Sequence, residues 1–172
     1  MVLSKHSNEF RLGSFSEASH STEVTIELAA GEKISTQRLS RVDRMWAFFD
    51  GQTWIKFAIV EFKRPGALID GEWEPAIQGR RVTGSANVMC RQVIKYCYCY
   101  NVRFAIICDG HKMVCLKVGG TKTNWVNETP FVTTSVPTEA CWVGTRDEMK
   151  RYGYVFLQEA LKAKLIDSGF AV

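Results

Sequence analysis

Arg41-Val42-Asp43-Arg44-Met45-Trp46-Ala47-Phe48-Phe49-Asp50-Gly51-Gln52-Thr53-Trp54-Ile55-Lys56-Phe57-Ala58-Ile59-Val60-Glu61-Phe62-Lys63-Arg64-Pro65-Gly66 is the stretch on which the fold turns. Residues 42–49 form a strand-like run, Asp50-Gly51 is a turn signal, and residues 53–62 form a second strand-like run. Asp-Gly between two such runs is a strong hairpin indicator. From Trp54 to Val60 only Lys56 is charged, which suits a central strand covered on both faces. Pro65-Gly66 ends it. Tight pairing across Asp50-Gly51 sets position 43 near 58. A bulge or a twist then lets Asp43 approach Glu61 at the same end of the sheet.

Upstream, Val24 to Leu28 alternates apolar and polar residues and reads as a first strand, with a helix capped by Ser21 or Thr22 as the alternative. Residues 1–20 are polar and serine-rich, so they are expected to be a flexible or short helical arm. The remainder, 21–172, reads as a single domain. Downstream, residues 66–84 are loop-rich, with a short helix expected around 73–78. Residues 85–100 read as a helix whose one face carries Val88, Met89, Gln92, Val93, Tyr96 and Tyr100. Strands are expected at 102–108 and 112–118, joined by the turn signal Asp109-Gly110, and then a loop-rich stretch at 119–139. Thr145-Arg146-Asp147-Glu148 is a capping box, predicting a helix over about 146–167 that stops at Gly169. The order implies an α/β (α+β) fold: a mixed central sheet of four or more strands flanked by helices.

Bulk properties set outer bounds. The chain has 172 residues, 46% hydrophobic and 23% charged, enough for one packed core. The net charge of +4 fits an anionic partner but also an ordinary basic surface. No stretch is apolar and long enough for a membrane span, and the first twenty residues have no signal-peptide core. An intracellular protein is therefore expected. In a reducing compartment the six cysteines read as small apolar residues rather than disulfides. Zinc ligation is disfavoured: there is no C-x-x-C, and His6, His20 and His111 are not at ligand spacing.

The chemistry gathers at the end of the second strand. Glu61 and Lys63 lie two apart, so alternation puts both side chains on one face. A charged pair on a buried strand is costly unless paired or used. Two carboxylates, Asp43 and Glu61, suit Mg²⁺ or Mn²⁺, and Lys63 beside them can orient a water for attack on a phosphodiester. A structural ion pair at a strand end, Glu61–Lys63 or Asp43–Arg44, is the plainer reading of an E-x-K alone.

The surrounding residues shift that weighting. Arg41-Val42-Asp43-Arg44, then Glu61-Phe62-Lys63-Arg64-Pro65, resembles the D…(D/E)-x-K core of the restriction-endonuclease-like, or PD-(D/E)XK, nucleases. Arg91-Gln92-Val93-Ile94-Lys95-Tyr96, followed by residues 101–110, is similar to the Q-x-x-x-Y helix and strand-turn in the nuclease domain of type I restriction subunits. The whole pattern also resembles a group of fungal proteins with the same core. The likeness spans about residues 23–118 and rests on order and spacing, with Val42 where the family often has proline.

The resemblance implies Asp43 and Glu61 as metal ligands, Lys63 acting on the nucleophilic water, Gln92 touching the site or substrate, and Tyr96 in support. The family's further acidic residue has four candidates: Glu9, Glu17, Glu23 and Glu27. Phosphate contacts are expected from a rim of Arg64, Arg80, Arg81, Arg91, Lys95 and Arg103. Most tryptophans are expected in the core, with Trp73 and Trp125 as candidates for base stacking. The implied function is a Mg²⁺- or Mn²⁺-dependent nuclease acting on nucleic acid, DNA above all, without a membrane partner. The alternatives are a catalytically idle module that docks nucleic acid or protein, and a secreted effector whose leader has been trimmed. Oligomeric state stays open.

Overall fold

The computed structural model describes residues 11–27, 33–78, 80, 82–118 and 137–170. Six strands, β1 (Arg11–Glu27), β2 (Lys33–Phe49), β3 (Trp54–Phe62), β4 (Phe104–Cys108), β5 (Met113–Val118) and β6 (Pro137–Val143), form one sheet in sequence order. The helices are α1 (Asp70–Ile77), α2 (Gly84–Tyr100) and α3 (Arg146–Asp167). Neighbouring strands run antiparallel except β3 and β4, which are parallel. That one parallel pair needs a long crossover, and α1 and α2 supply it. The fold is thus α+β with a mixed sheet flanked by helices, as expected.

Period-two alternation divides the sheet's two faces. Ile59, Ala105, Ile107, Val114 and Leu116 face α1 and α2, where they pack with Trp73, Met89, Val93 and Cys97. Ala58, Phe104 and Val60, Ile106, Met113, Cys115 face α3, against Ala160, Leu165 and Phe156. β3 and β4 are buried on both faces, which explains their nearly continuous apolar sequence. Among the described residues no helix is long and apolar enough to cross a membrane.

The helices end and begin where local chemistry directs. The Thr145 box is formed: its hydroxyl accepts the Glu148 amide and the Glu148 carboxylate accepts the Thr145 amide. α3 stops at Gly169, whose φ of 82° is the left-handed value glycine tolerates best. α2 stops at Asn101 (φ 53°), with the Val102 amide reaching back to the Cys97 carbonyl at 2.9 Å. The start of α2 is capped from outside: Glu72 of α1 accepts the Ser85 hydroxyl (2.5 Å) and the Ala86 amide (2.9 Å).

Several expectations need correction. Residues 11–20 are no arm but the start of β1; residues 1–10 lie outside the described residues. β2 begins at Lys33, well before position 42, because it pairs with β1 along its whole length. β6 begins at Pro137, inside the stretch expected to be loop-rich up to Glu139; the part of that stretch at 119–136 lies outside the described residues. α1 starts at Asp70 rather than 73. On α2 the expected face holds at Met89, Val93 and Tyr100, which are buried, and at Gln92 and Tyr96, which are half-buried; Val88 is exposed instead, and Ala86, Cys90, Ile94 and Cys97 widen the buried stripe. Among the described cysteines, Cys90, Cys97 and Cys115 are buried as small apolar residues, and Cys99 and Cys108 are half-buried. Cys90, Cys97, Cys99, Cys108 and Cys115 are free thiols, and burial pushes Cys90 up to about 12.

One buried carboxylate holds the loop that follows β3. Asp109, 2% exposed, accepts four backbone amides: Gly66 and Leu68 on one oxygen, His111 and Lys112 on the other, at 2.8–3.1 Å. Burial pushes its pKa up, but the four amides outweigh that and leave it below the ordinary carboxylate value. Its contribution to stability is therefore complete above the unfolded carboxylate pKa and is lost as pH falls through the lower folded value. Asp109→Asn aims an amide NH₂ at backbone donors and should destabilise the fold by about 3 kcal/mol at neutral pH. The gap to wild type should narrow below about pH 4, measured by urea denaturation across pH. An unchanged midpoint at pH 7 would refute the role.

Candidate active site

Asp43 and Glu61 come together through a longer loop and a bulge. The β2–β3 loop is Asp50 to Thr53, closed by the Asp50 amide on the Thr53 carbonyl (3.1 Å) and by Asp50 Oδ1 accepting the Gln52 and Thr53 amides. Pairing runs Phe49↔Trp54, Phe48↔Ile55, Ala47↔Lys56, then jumps to Trp46↔Ala58, Met45↔Ile59 and Arg44↔Val60. Phe57 is the extra residue, and it packs with Ala58 on the α3 face. The partner of position 58 is therefore Trp46, not Asp43. One step beyond Arg44↔Val60, the same register brings Asp43 across from Glu61. There the Asp43 carboxylate continues the ladder by accepting the Phe62 amide at 2.7 Å.

The register also separates the four acidic candidates upstream. Ser16↔Arg44 and Ala18↔Val42 flank Glu17, which therefore lies opposite Asp43 on the neighbouring strand. Glu23 pairs with Gln37 and Glu27 with Lys33, far along β1 from that point. Glu9 lies outside the described residues.

Glu61, Lys63 and Gln92 form a closed triangle. Lys63 Nζ donates to Glu61 Oε1 (2.8 Å) and to Gln92 Oε1 (3.0 Å), and Gln92 Nε2 donates to Glu61 Oε1 (3.1 Å). Gln92 Nε2 also donates to the Tyr96 hydroxyl at 2.8 Å, one helical turn along α2. Glu61 is 7% exposed, and its Oε2 is buried without a hydrogen-bond partner. Burial pushes its pKa up. The hydrogen bond and charge of Lys63 pull it down, the Asp43 charge adds repulsion, and the Asp43 backbone opposes it; the balance is a raised value. Asp43 itself is exposed.

Of the other residues expected at the site, Arg64 directly follows Lys63 and is exposed, as is Arg91 beside Gln92; Lys95 and Tyr96 are half-buried. Arg80 is exposed, and Arg81 lies outside the described residues. Arg103 does not belong to this rim. β4 pairs with β3 so that Ile107 is level with Glu61, which leaves Arg103 at the far end of the sheet. Trp73 does not present itself for stacking either: it is 1% exposed, within the core under α1. Trp125 lies outside the described residues. Asp109 is the residue whose role the sequence reading missed. An acid ending an apolar strand before glycine was read only as a turn, although its carboxylate fastens the loop leaving Lys63.

Among the described residues no group of three or more His, Cys, Asp or Glu forms a metal-holding cluster. The oxygen donors at the site are the carboxylates of Asp43 and Glu61. In comparison with known proteins, the chain matches no family model, no curated protein and no solved structure.

The raised Glu61 value has a defined sign. The folded state binds this proton more tightly than the unfolded chain, so the charged form at high pH lowers stability, and stability returns as pH falls through the folded pKa. Glu61→Gln should therefore stabilise the metal-free protein by about 1 kcal/mol at pH 8, and the difference should close toward pH 4.5. Denaturant midpoints at the two pH values test it. A less stable variant at pH 8 would mean that the Lys63 pair outweighs burial.

Proposed function

We propose that the chain is a metal-dependent nuclease of the restriction-endonuclease-like type, hydrolysing phosphodiester bonds of DNA inside the cell, in cytoplasm or nucleus. The observation that carries this reading is the Glu61–Lys63–Gln92 triangle at the end of a buried strand, with Asp43 across from Glu61 on the next strand. The family resemblance of the D…E-x-K and Q-x-x-x-Y motifs supports it.

The donor set fits a hard divalent ion. Asp43 and Glu61 offer carboxylate oxygens, and Glu61 Oε2 is a buried acceptor without a partner, so Mg²⁺, or Mn²⁺ in its place, is the implied cofactor. When bound, the ion would supply Lewis acidity at the scissile phosphate. Lys63 holds and orients the attacking water through its ammonium N–H groups. Gln92 fixes Lys63 through its carbonyl oxygen, and Tyr96 positions the Gln92 amide. Arg64, Arg91 and Lys95 contact the phosphates on either side, which sets register on the strand without reading bases.

A second reading has its own observation. Lys63 is already satisfied by Glu61 and Gln92, and Asp43 by the Phe62 amide. Such a closed network also serves an idle nuclease-fold module that binds nucleic acid or a protein without cleaving.

Cleavage of supercoiled plasmid in Mg²⁺ and in Mn²⁺ separates the two. Wild type should nick, and Asp43→Ala, Glu61→Ala and Lys63→Ala should each lose about a hundred-fold or more of that activity. Lys63→Ala should keep metal binding, because lysine is not a ligand, and should keep DNA binding that weakens as salt rises. DNA binding without cleavage by wild type in either metal would favour the idle module. Binding of neither metal nor nucleic acid would overturn the nuclease reading.

A further inference from the structure

Trp54 was expected in the core, yet it is 42% exposed, and Phe15 of β1 beside it is 39% exposed. The register puts both rings on the face of the sheet that carries Glu61. Phe15 pairs with Met45 and Met45 with Ile59; Arg11 pairs with Phe49 and Phe49 with Trp54. Residues directly opposite one another share a face. Met45 and Ile59 are buried with the residues of α2, so that helix covers β2 and β3 in this row and stops short of Phe15. Glu61 is two residues beyond Ile59 and on the same face. Phe15 is therefore two strands across and two residues back from Glu61, about 12 Å away.

The rings are held as a unit. Trp54 meets Phe15 edge to face with 5.1 Å between centroids, and meets Phe49 at 5.5 Å and a tilt of 50°. It reaches across β2 to lie against Gly13, where a Cβ would stand 2.8 Å from the Trp54 ring. Glycine at position 13 thus makes room for the indole. The residues around the rings on this face are Arg11 and Gly13 of β1, Met45, Ala47 and Phe49 of β2, and Lys56 and Ile59 of β3. The charged ones, Arg11 and Lys56, are both basic, and Lys56 Nζ lies 5.0 Å from the Tyr100 ring at the end of α2. Asp50, in the adjoining turn, spends Oδ1 on the Gln52 and Thr53 amides. Exposed rings flanked by cations are the two parts of a single-strand site, in which bases stack on aromatics while basic groups follow the backbone. In a duplex the base faces are already taken by their neighbours, so such rings are open only to an unpaired base.

We propose that Phe15 and Trp54 stack an unpaired base of the nucleic-acid substrate, so that the strand reaching Glu61 and Lys63 is single-stranded over about three nucleotides. Arg11 and Lys56 lie beside the phosphates that flank that base. The proposal rests on the nucleic-acid reading above and names the form of the substrate.

Fluorescence anisotropy of the full chain without divalent metal tests it, with a labelled oligothymidine of about 12 nucleotides and a duplex of the same length as probes. The single strand should bind at least about ten-fold more tightly than the duplex. Trp54→Leu and Phe15→Leu should each weaken the single strand about ten-fold, the loss of one stacking contact, and leave duplex binding unchanged. Trp54→Phe keeps a ring and should recover most of the loss. The slope of affinity against salt should stay the same in all three, because no cation is removed. Equal binding of the two probes by wild type overturns the proposal, as does a loss that falls on both probes alike in both leucine variants. Self-association of the free chain that disappears in Trp54→Leu, seen by sedimentation, would assign the rings to a second copy and overturn it too. Plasmid nicking by wild type alongside any of these results leaves the nuclease reading standing. Ring-dependent binding of the single strand without cleavage in Mg²⁺ or Mn²⁺ keeps the stacking and removes the nuclease.

Discussion

Strand β3 is buried on both faces and yet ends in a carboxylate, and the desolvation of Glu61 organises everything around it. A buried charge must be matched. Lys63, two positions on and therefore on the same face, matches it at 2.8 Å, and Gln92 from α2 closes the triangle. The crossover between β3 and β4 exists to bring that helix over this face. Without α2 packed at this end of β3, Glu61 would keep Lys63 but lose the amide that holds both. The site is thus a consequence of the single parallel strand pair in an otherwise antiparallel sheet.

Two further carboxylates secure the frame. Asp109 gathers four amides from the β4–β5 turn and from the loop leaving Lys63, tying the ends of two parallel strands together. Glu72 caps α2 from α1, and the fit is close: a Cβ on Gly84 would stand 2.2 Å from Glu72 Oε1. The two helices of the crossover are therefore locked to each other, and the loop that precedes them is locked to the sheet. A hydrogen-bonded carboxylate is an economical fastener, since one group can satisfy several backbone donors left over at turns and helix starts.

The elements with strong local signals were legible. The Asp50-Gly51 turn, the apolar β3, the Thr145 capping box and the Gly169 stop each depend on residues within a few positions of one another, and each is found where the pattern puts it. The weak signals failed for identifiable reasons. Residues 11–20 are serine-rich and lack aliphatic alternation, so β1 owes its form to pairing with β2 rather than to its own pattern. On α2 only Val88 of the expected stripe is exposed, because the packed face also takes in Ala86, Cys90, Ile94 and Cys97 and so leaves Val88 at its outer edge. Trp73 looked available for stacking because it sits in a glycine-rich segment; packing under α1 takes it into the core instead.

By itself the sequence determined which residues share a face: Glu61 with Lys63 by period two, Gln92 with Tyr96 by the helical turn, Ile59 with the apolar core. These are consequences of backbone geometry over short spans. What lies opposite what was decided only by tertiary structure. A four-residue loop and the bulge at Phe57 move the partner of Glu61 to Asp43, and a change of one residue in either would turn the pairing away. The same long-range register sends Arg103 to the far end of the sheet and puts Glu17 opposite Asp43. Register between strands is a sum over every residue and bulge that separates them. It is settled by which faces can be buried together, a property of the assembled sheet rather than of any segment of the chain.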